Sequence, residues 1–134
     1  MSAVSITSIS DILKSQGGKD RFKGFARPNT TSCPDELFDR FLTELTHAEL
    51  KILLYIVRRT FGFKKDSDRI SLKQISEGIL TKDGKQLDRG AGVDRRTAMR
   101  TIKKLEDRGL IRVKRVKTKD GYNSVNVYSL RFQG

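Results

Sequence analysis

The chain has 134 residues, 36% hydrophobic and 33% charged, and its 28 lysines and arginines outnumber 16 aspartates and glutamates for a formal net charge of +12. That is enough for one domain with one modest core, and the cationic surplus favours a polyanionic partner. A single cysteine, Cys33, excludes an internal disulfide, and no apolar run approaches the ~20 residues of a membrane-spanning helix.

The N-terminus has neither the basic start nor the apolar core of a signal peptide, so a cytoplasmic protein without a membrane partner is expected. Residues 1–24 are rich in Ser, Gly and Lys, with Ile9, Ile12 and Leu13 as the only apolar face. A flexible tail over 1–24 ahead of one domain over 25–134 is the expected division.

Pro28 and Pro34 discourage helix before them. Pro34 suits the start of a short helix, with Asp35 and Glu36 in the favoured first turn. Leu37, Phe38, Phe41 and Leu42 recur at helical spacing, which predicts packing on the core.

The next helix has the clearest signature. Thr46 is a good N-cap and Glu49, three residues on, completes a capping box. Leu50, Leu53, Leu54, Val57 and Phe61 form the predicted core stripe. On that reading Leu54→Asp buries a charge and unfolds the domain. Arg58 and Arg59 suit the helix C-terminus, and Gly62 stops it.

A polar loop follows, then a short strand from Ile70 and a two-turn helix capped near Ser71, carrying Leu72, Ile75 and Ile79 and ending near Gly78. Leu80 to Gly92 reads as a long loop with a turn at Lys82-Asp83-Gly84.

Asp94 then caps a helix whose buried stripe is Ala98, Ile102 and Leu105, and Gly109 ends it. At 100° per residue, Arg96, Arg100 and Lys103 fall on the opposite face, with Met99 at its border. Leu110 to Lys117 and Tyr122 to Phe132 read as strands joined by an Asp-Gly hairpin turn at Thr118 to Gly121, with a bulge or register change expected near Arg115-Val116.

The predicted fold is α+β and mainly helical. It is a winged helix-turn-helix, a three-helix core with a β-hairpin wing, preceded by an extra N-terminal helix. Between Asp94 and Lys119 eleven basic residues face three acidic ones, a surplus of +8. A major-groove helix needs donors on its outward face, and Arg95, Arg96, Thr97, Arg100 and Lys103 supply them. Arg112, Lys114, Arg115, Lys117 and Lys119 load the wing with charge that suits phosphates better than bases. Lys82, Lys85 and Arg89 are candidate loop contacts.

Other chemistries have little support. His47 reads as a surface or capping residue, and one His with one Cys cannot build a zinc site. The glycines of GKQLDRGAG match no nucleotide-phosphate cradle. Asp83, Asp88 and Asp94 read as loop or cap acids, not as a metal-holding carboxylate set. The expectation is a non-enzymatic protein with no cofactor and no metal, binding double-stranded DNA as a monomer or homodimer.

The segments PDELFDRFLTELTHAELKILLYIVRRTFGFKKDSDRISLKQIS and VDRRTAMRTIKKLEDRGLI resemble the N-terminal DNA-binding domain of phage replication protein O and related replication initiators of phages, plasmids and other mobile elements, over about Phe25 to Leu130. The resemblance implies binding to origin repeats. It places Arg95, Arg96, Thr97, Arg100 and Lys103 on the recognition helix. In that family a separate C-terminal part recruits the replicative helicase. The sequence ends just past the second wing strand, so either a fragment or a stand-alone binder with partner contacts elsewhere, such as the N-terminal tail, is expected. The stretch from Leu80 to Gly92 is longer than the family's usual tight turn. Two other readings use the same fold: a winged helix transcriptional regulator or recombination accessory factor, and a protein-interaction module that docks an acidic protein.

Overall fold

The computed structural model describes residues 21–27, 29–116 and 125–133. The expected tail over 1–24 therefore lies largely outside the described residues, as do Pro28 and the Thr118–Gly121 turn. The fold is α+β, with helices gathered against two small antiparallel sheets, an arrangement compatible with a winged helix. No helix among the described residues is long and apolar enough to cross a membrane.

The leading helix α1 begins after Pro34, and its first turns are π-helical over Leu37–Phe41 before a last α-helical turn over Leu42–Glu44. It packs less fully than its spacing predicts. Leu37 is buried and Phe41 half-buried against the core, whereas Phe38 and Leu42 are about half exposed. The wider π turn shifts successive side chains away from a 3.6-residue stripe, so only part of the quartet reaches the core.

Helix α2, His47–Thr60, is the central element. Its capping box is formed: Glu49 N donates to Thr46 Oγ1 at 3.2 Å and Thr46 N donates to Glu49 Oε1 at 2.9 Å. The buried face carries Ile52, Leu53, Ile56, Val57 and Thr60. The predicted stripe holds at Leu53 and Val57, is partly buried at Leu50 and Phe61, and fails at Leu54. Leu54 is 37% exposed, while Ile52 and Ile56 are fully buried. Leu54→Asp therefore places its charge at the surface, and the expectation that it unfolds the domain is corrected. A run of Ile, Leu, Leu, Tyr, Ile and Val offers more than one apolar face, and the packing of neighbouring elements selects one.

After a 3₁₀ turn over Phe61–Phe63, strand β1 covers Asp68–Ser71 and leads directly into α3, Leu72–Glu77. Ser71 caps α3, with Gln74 completing a second capping box. A short hairpin follows, β2 Ile79–Leu80 and β3 Gln86–Asp88. The stretch read as a loop is thus partly ordered as a ladder, and Ile79 belongs to β2 and not to α3.

Helix α4 spans Arg95–Asp107 and strands β4 and β5 span Ile111–Lys114 and Val125–Leu130. The larger sheet has the order β1-β5-β4. Tyr128 on the middle strand is almost fully buried and stands between Asp68 of β1 and Val113 of β4. The β4–β5 ladder runs in continuous register from Ile111↔Leu130 to Lys114↔Val127 and stops there. The irregularity expected near Arg115-Val116 is the end of the ladder. Val116 N donates to the Asn126 side-chain Oδ1 at 3.2 Å instead of to a strand carbonyl. Ile52, Ile56, Ile70, Ile75, Ala98, Leu105 and Ile111 fill one core between α2, α3, α4 and this sheet. Each fully buried aliphatic side chain stabilises by about 1.5–3 kcal/mol relative to an exposed one.

Candidate nucleic-acid interface

Helix α4 is built from strong helix formers and fixed at both ends. Asp94 Oδ2 accepts from Thr97 N at 3.4 Å, and the hydrogen bonds from Thr97 hold the Asp94 carboxyl below its usual range. At the other end Gly109 takes φ 80°, Gly109 N donates to Glu106 O and Leu110 N to Leu105 O. This is a Schellman closure, which needs a left-handed residue and so a glycine. Ala98, Thr101, Ile102 and Leu105 are buried. Thr101 was not part of the predicted stripe, but it lies beside Ala98 and Leu105 on the same face.

Arg96, Arg100 and Lys103 stand on the opposite face, all exposed. None of the three makes an ion pair among the described residues, and Arg100 Nη2 donates to Thr97 Oγ1 at 3.4 Å. Two other candidate cations are paired. Arg95 Nη2 lies 3.1 Å from Glu77 Oε2 at the end of α3, with both side chains more than half exposed. Such a pair contributes little and can open. Arg115 grips Glu106 with both terminal nitrogens, at 3.1 and 2.9 Å. These hydrogen bonds push the Glu106 carboxyl down and the Arg115 guanidinium up. The pair pins the β4 end to the C-terminal half of α4.

Along β4, Ile111 is buried and Val113 half-buried, while Arg112 and Lys114 alternate outward. Lys114 is exposed. Arg112 lines an open groove of about 890 Å³ together with Arg40 and Phe41 of α1, Arg108 and Arg131. That groove is bordered by α1 and the C-terminal end of α4, so Arg112 is not grouped with Arg96 at the helix start. Lys117 and Lys119 lie outside the described residues.

The β2–β3 hairpin leaves the main path between α3 and α4 and returns to it. Gly78 and Gly90 meet at its root with φ 87° and 72°. A Cβ on Gly90 would sit 2.6 Å from Gly78 N and 2.7 Å from Gln74 O, so this crossing admits only glycine. Ala91 N donates to Ile75 O at 2.7 Å, and Ser76 Oγ donates to Val93 O at 2.6 Å. These bonds close the path from α3 to α4 as a tight turn from which the hairpin projects. Lys82, Lys85 and Arg89 are all exposed on it.

A polar network holds the hairpin root, and sequence reasoning missed it. Arg59, 8% exposed, donates through Nε to Asp68 at 2.9 Å, through Nη2 to Arg69 O and through Nη1 to Tyr55 Oη and Gln74 Oε1. Tyr55 in turn donates to the Asp88 carboxylate, with its Oη 3.0 and 3.1 Å from the two oxygens. Asp88 Oδ1 also accepts from Gly90 N at 2.9 Å. Burial pushes the Tyr55 hydroxyl up to about 12, so it stays a donor at neutral pH. The available signal was Tyr55 and Arg59 four apart on an apolar helix. Arg59 was read with Arg58 as a terminal cation, and only Arg58 behaves that way. Its guanidinium lies over the Phe63 ring at 4.5 Å.

A family model for bacteriophage replication protein O matches residues 31–127. The chain belongs to the bacteriophage replication protein O family. In this family member the match begins ahead of α1 and ends within β5, so it takes in α3, α4, the hairpin and the Arg59 network. No curated protein matches the chain, and no solved structure does.

Among the described residues no group of three or more His, Cys, Asp or Glu side chains is placed to hold a metal. Asp94 and Asp83 act as cap and turn acids, with Asp83 accepting from Thr81 Oγ1, and Asp88 is the loop acid that anchors the hairpin. Cys33 is half-buried, and burial pushes its thiol up.

Proposed function

We propose that this replication protein O family member binds double-stranded DNA in a sequence-specific manner through a winged helix-turn-helix, in replication initiation of a phage or related mobile element. Residues 25–134 form the binding domain and residues 1–24 a tail. Helices α3 and α4 are the helix-turn-helix, α4 is the recognition helix and the β4–β5 hairpin is the wing.

One observation carries the reading. Arg96, Arg100 and Lys103 are exposed, in no ion pair among the described residues, and opposite the buried Ala98-Ile102-Leu105 stripe. A helix of this kind enters the major groove with its N-terminal half at the base edges. Arg96 and Arg100 are then the base readers, since a guanidinium pairs bidentately with guanine. Thr97 steadies Arg100 or meets a phosphate. Arg95 exchanges Glu77 for a flanking phosphate, and Lys103 takes a phosphate farther along. On the wing, Lys114, Lys117 and Lys119 are backbone contacts, whereas Arg115 serves first to hold the wing on α4 through Glu106. The domain performs no chemistry on DNA. A replicative helicase or its loader is the protein partner such a role implies.

Selection of bound duplexes from a random pool tests this. A recovered consensus, with affinity that falls steeply as salt rises, is the expected result. A chain that recovers no consensus and has no salt-dependent duplex affinity is a protein-docking module instead.

A further inference from the structure

We infer that the Ile79–Asp88 hairpin with Arg89 is a second backbone-gripping arm, which lays Lys82, Lys85 and Arg89 on DNA phosphates beyond the N-terminal end of α4 and reads no bases. The inference rests on the duplex-binding reading above and adds a contact at the other end of the recognition helix.

The hairpin is not needed as a connection. Gly78 and Gly90 are in contact, and the Ala91–Ile75 and Ser76–Val93 hydrogen bonds already close the turn between α3 and α4. The intervening residues span no gap.

The hairpin is also held in place. An isolated two-stranded hairpin is marginal in water. This one is fixed at its root through Asp88, Tyr55 and Arg59. Its tip is closed by Thr81 N to Lys85 O at 2.9 Å, Gly84 N to Thr81 O at 3.0 Å and Lys85 N to Thr81 Oγ1 at 3.0 Å. Gly84 takes φ 88° there. A fixed arm loses little conformational freedom when it meets a partner.

Asp83 is occupied by Thr81, and Asp88 by Tyr55 and Gly90. Lys82, Lys85 and Arg89 are exposed and make no ion pair among the described residues. The carboxylates build the arm and the cations face outward.

The Arg95–Glu77 pair puts the hairpin root beside the start of α4, while Arg115–Glu106 ties the far end of β4 to its C-terminal half. The two hairpins are therefore tied to α4 near opposite ends of the helix. Lys82 and Lys85 are compact point charges suited to phosphates, and Arg89 sits at the hairpin root, just past β3. Gln86 is the amide in the arm suited to an adenine edge, and its NH₂ already donates to Glu77 O, Ile79 O and Asp88 O.

The test compares K82Q/K85Q/R89Q with R96A/R100A on the duplex recovered by selection. The three arm side chains are exposed and unpaired, so the triple variant keeps its melting temperature. Three lost phosphate contacts make the log-affinity against log-salt slope shallower by about 2–3. Sequence preference stays as in the unaltered chain, and hydroxyl-radical protection is lost on one flank of the site only. A triple variant with unaltered slope and footprint, alongside an R96A/R100A variant that has lost specific binding, overturns the arm and leaves the duplex-binding reading intact. A triple variant with altered base preference overturns it too. If R96A/R100A itself binds like the unaltered chain, the underlying reading falls first.

Discussion

Arg108, one residue past the end of α4, donates its Nε proton to Glu49 Oε2 in the first turn of α2 at 3.0 Å, across 59 positions of sequence. Glu49 is 2% exposed and already occupied on its other oxygen by Thr46 N, so the contact seats α4 on α2 through a capping box. Burial alone raises the Glu49 carboxyl. The Thr46 hydrogen bonds and the Arg108 charge outweigh that and hold it below the usual range.

The sign of the pH dependence follows. Glu49 has a lower value folded than unfolded, so its contribution is fully present above the unfolded value of about 4.3 and is lost as pH falls through the folded value. Urea denaturation of Glu49→Gln is expected to show a weaker loss of stability between pH 5 and pH 3 than the unaltered chain. Arg108→Ala is expected to cost about 1–2 kcal/mol at pH 7, since the partner left behind is buried but Arg108 itself is 43% exposed. Equal acid sensitivity in Glu49→Gln contradicts the role given to this pair.

The central helix gives a sharp contrast between neighbours. Ile56→Ala removes a fully buried side chain and is expected to cost 2–5 kcal/mol. Leu54→Asp, on the exposed side, is expected to leave a folded chain with a loss of about 1 kcal/mol or less. Thermal unfolding of the two proteins checks this, and an unfolded Leu54→Asp contradicts the assigned face.

Those two residues also show where the sequence was legible. Caps declare themselves locally, because Thr46 with Glu49, and Asp94, need only a hydrogen-bonding side chain at the right offset. The α4 stripe was readable because its apolar residues are few. The α2 stripe was not fully readable, because an apolar run has several candidate faces and tertiary contacts choose. The hairpin and the Arg59 network were illegible for a related reason. They depend on Asp68, Gln74 and Asp88 converging from three elements on Tyr55 and Arg59, and no local spacing encodes that. Of the candidate site, the outward face of α4 was readable from periodicity alone. That Arg115 is engaged by Glu106, and that Arg112 lies on the groove beside α1, follows from packing and not from charge count.

Tyr55→Phe removes the donor to Asp88 while keeping the ring. The loss expected is about 1–2 kcal/mol, with a matching loss of hydrogen-exchange protection at Gly90 and Ala91 and little change in α4. Uniform loss of protection across the domain, or none at Gly90, contradicts a local anchoring role.

Gly90→Ala tests the crossing with Gly78. Positive φ and a Cβ within 2.6–2.8 Å of three backbone atoms leave no relaxed solution. A cost of at least about 1–3 kcal/mol is expected, measured by denaturant unfolding. Gly84→Ala shares the positive φ but meets nothing within 4 Å, so it is expected to cost less. Reversal of that order contradicts the close approach at the hairpin root.

In the proposed complex, Arg96 and Arg100 read a duplex from the outward face of α4. The most direct measurement is the affinity of Arg100→Ala for its selected site and for variants of that site changed one base pair at a time. A loss of about 1–3 kcal/mol on the selected site is expected, with preference relaxed at one position and unaltered at the others. Undiminished affinity with every base preference intact contradicts it.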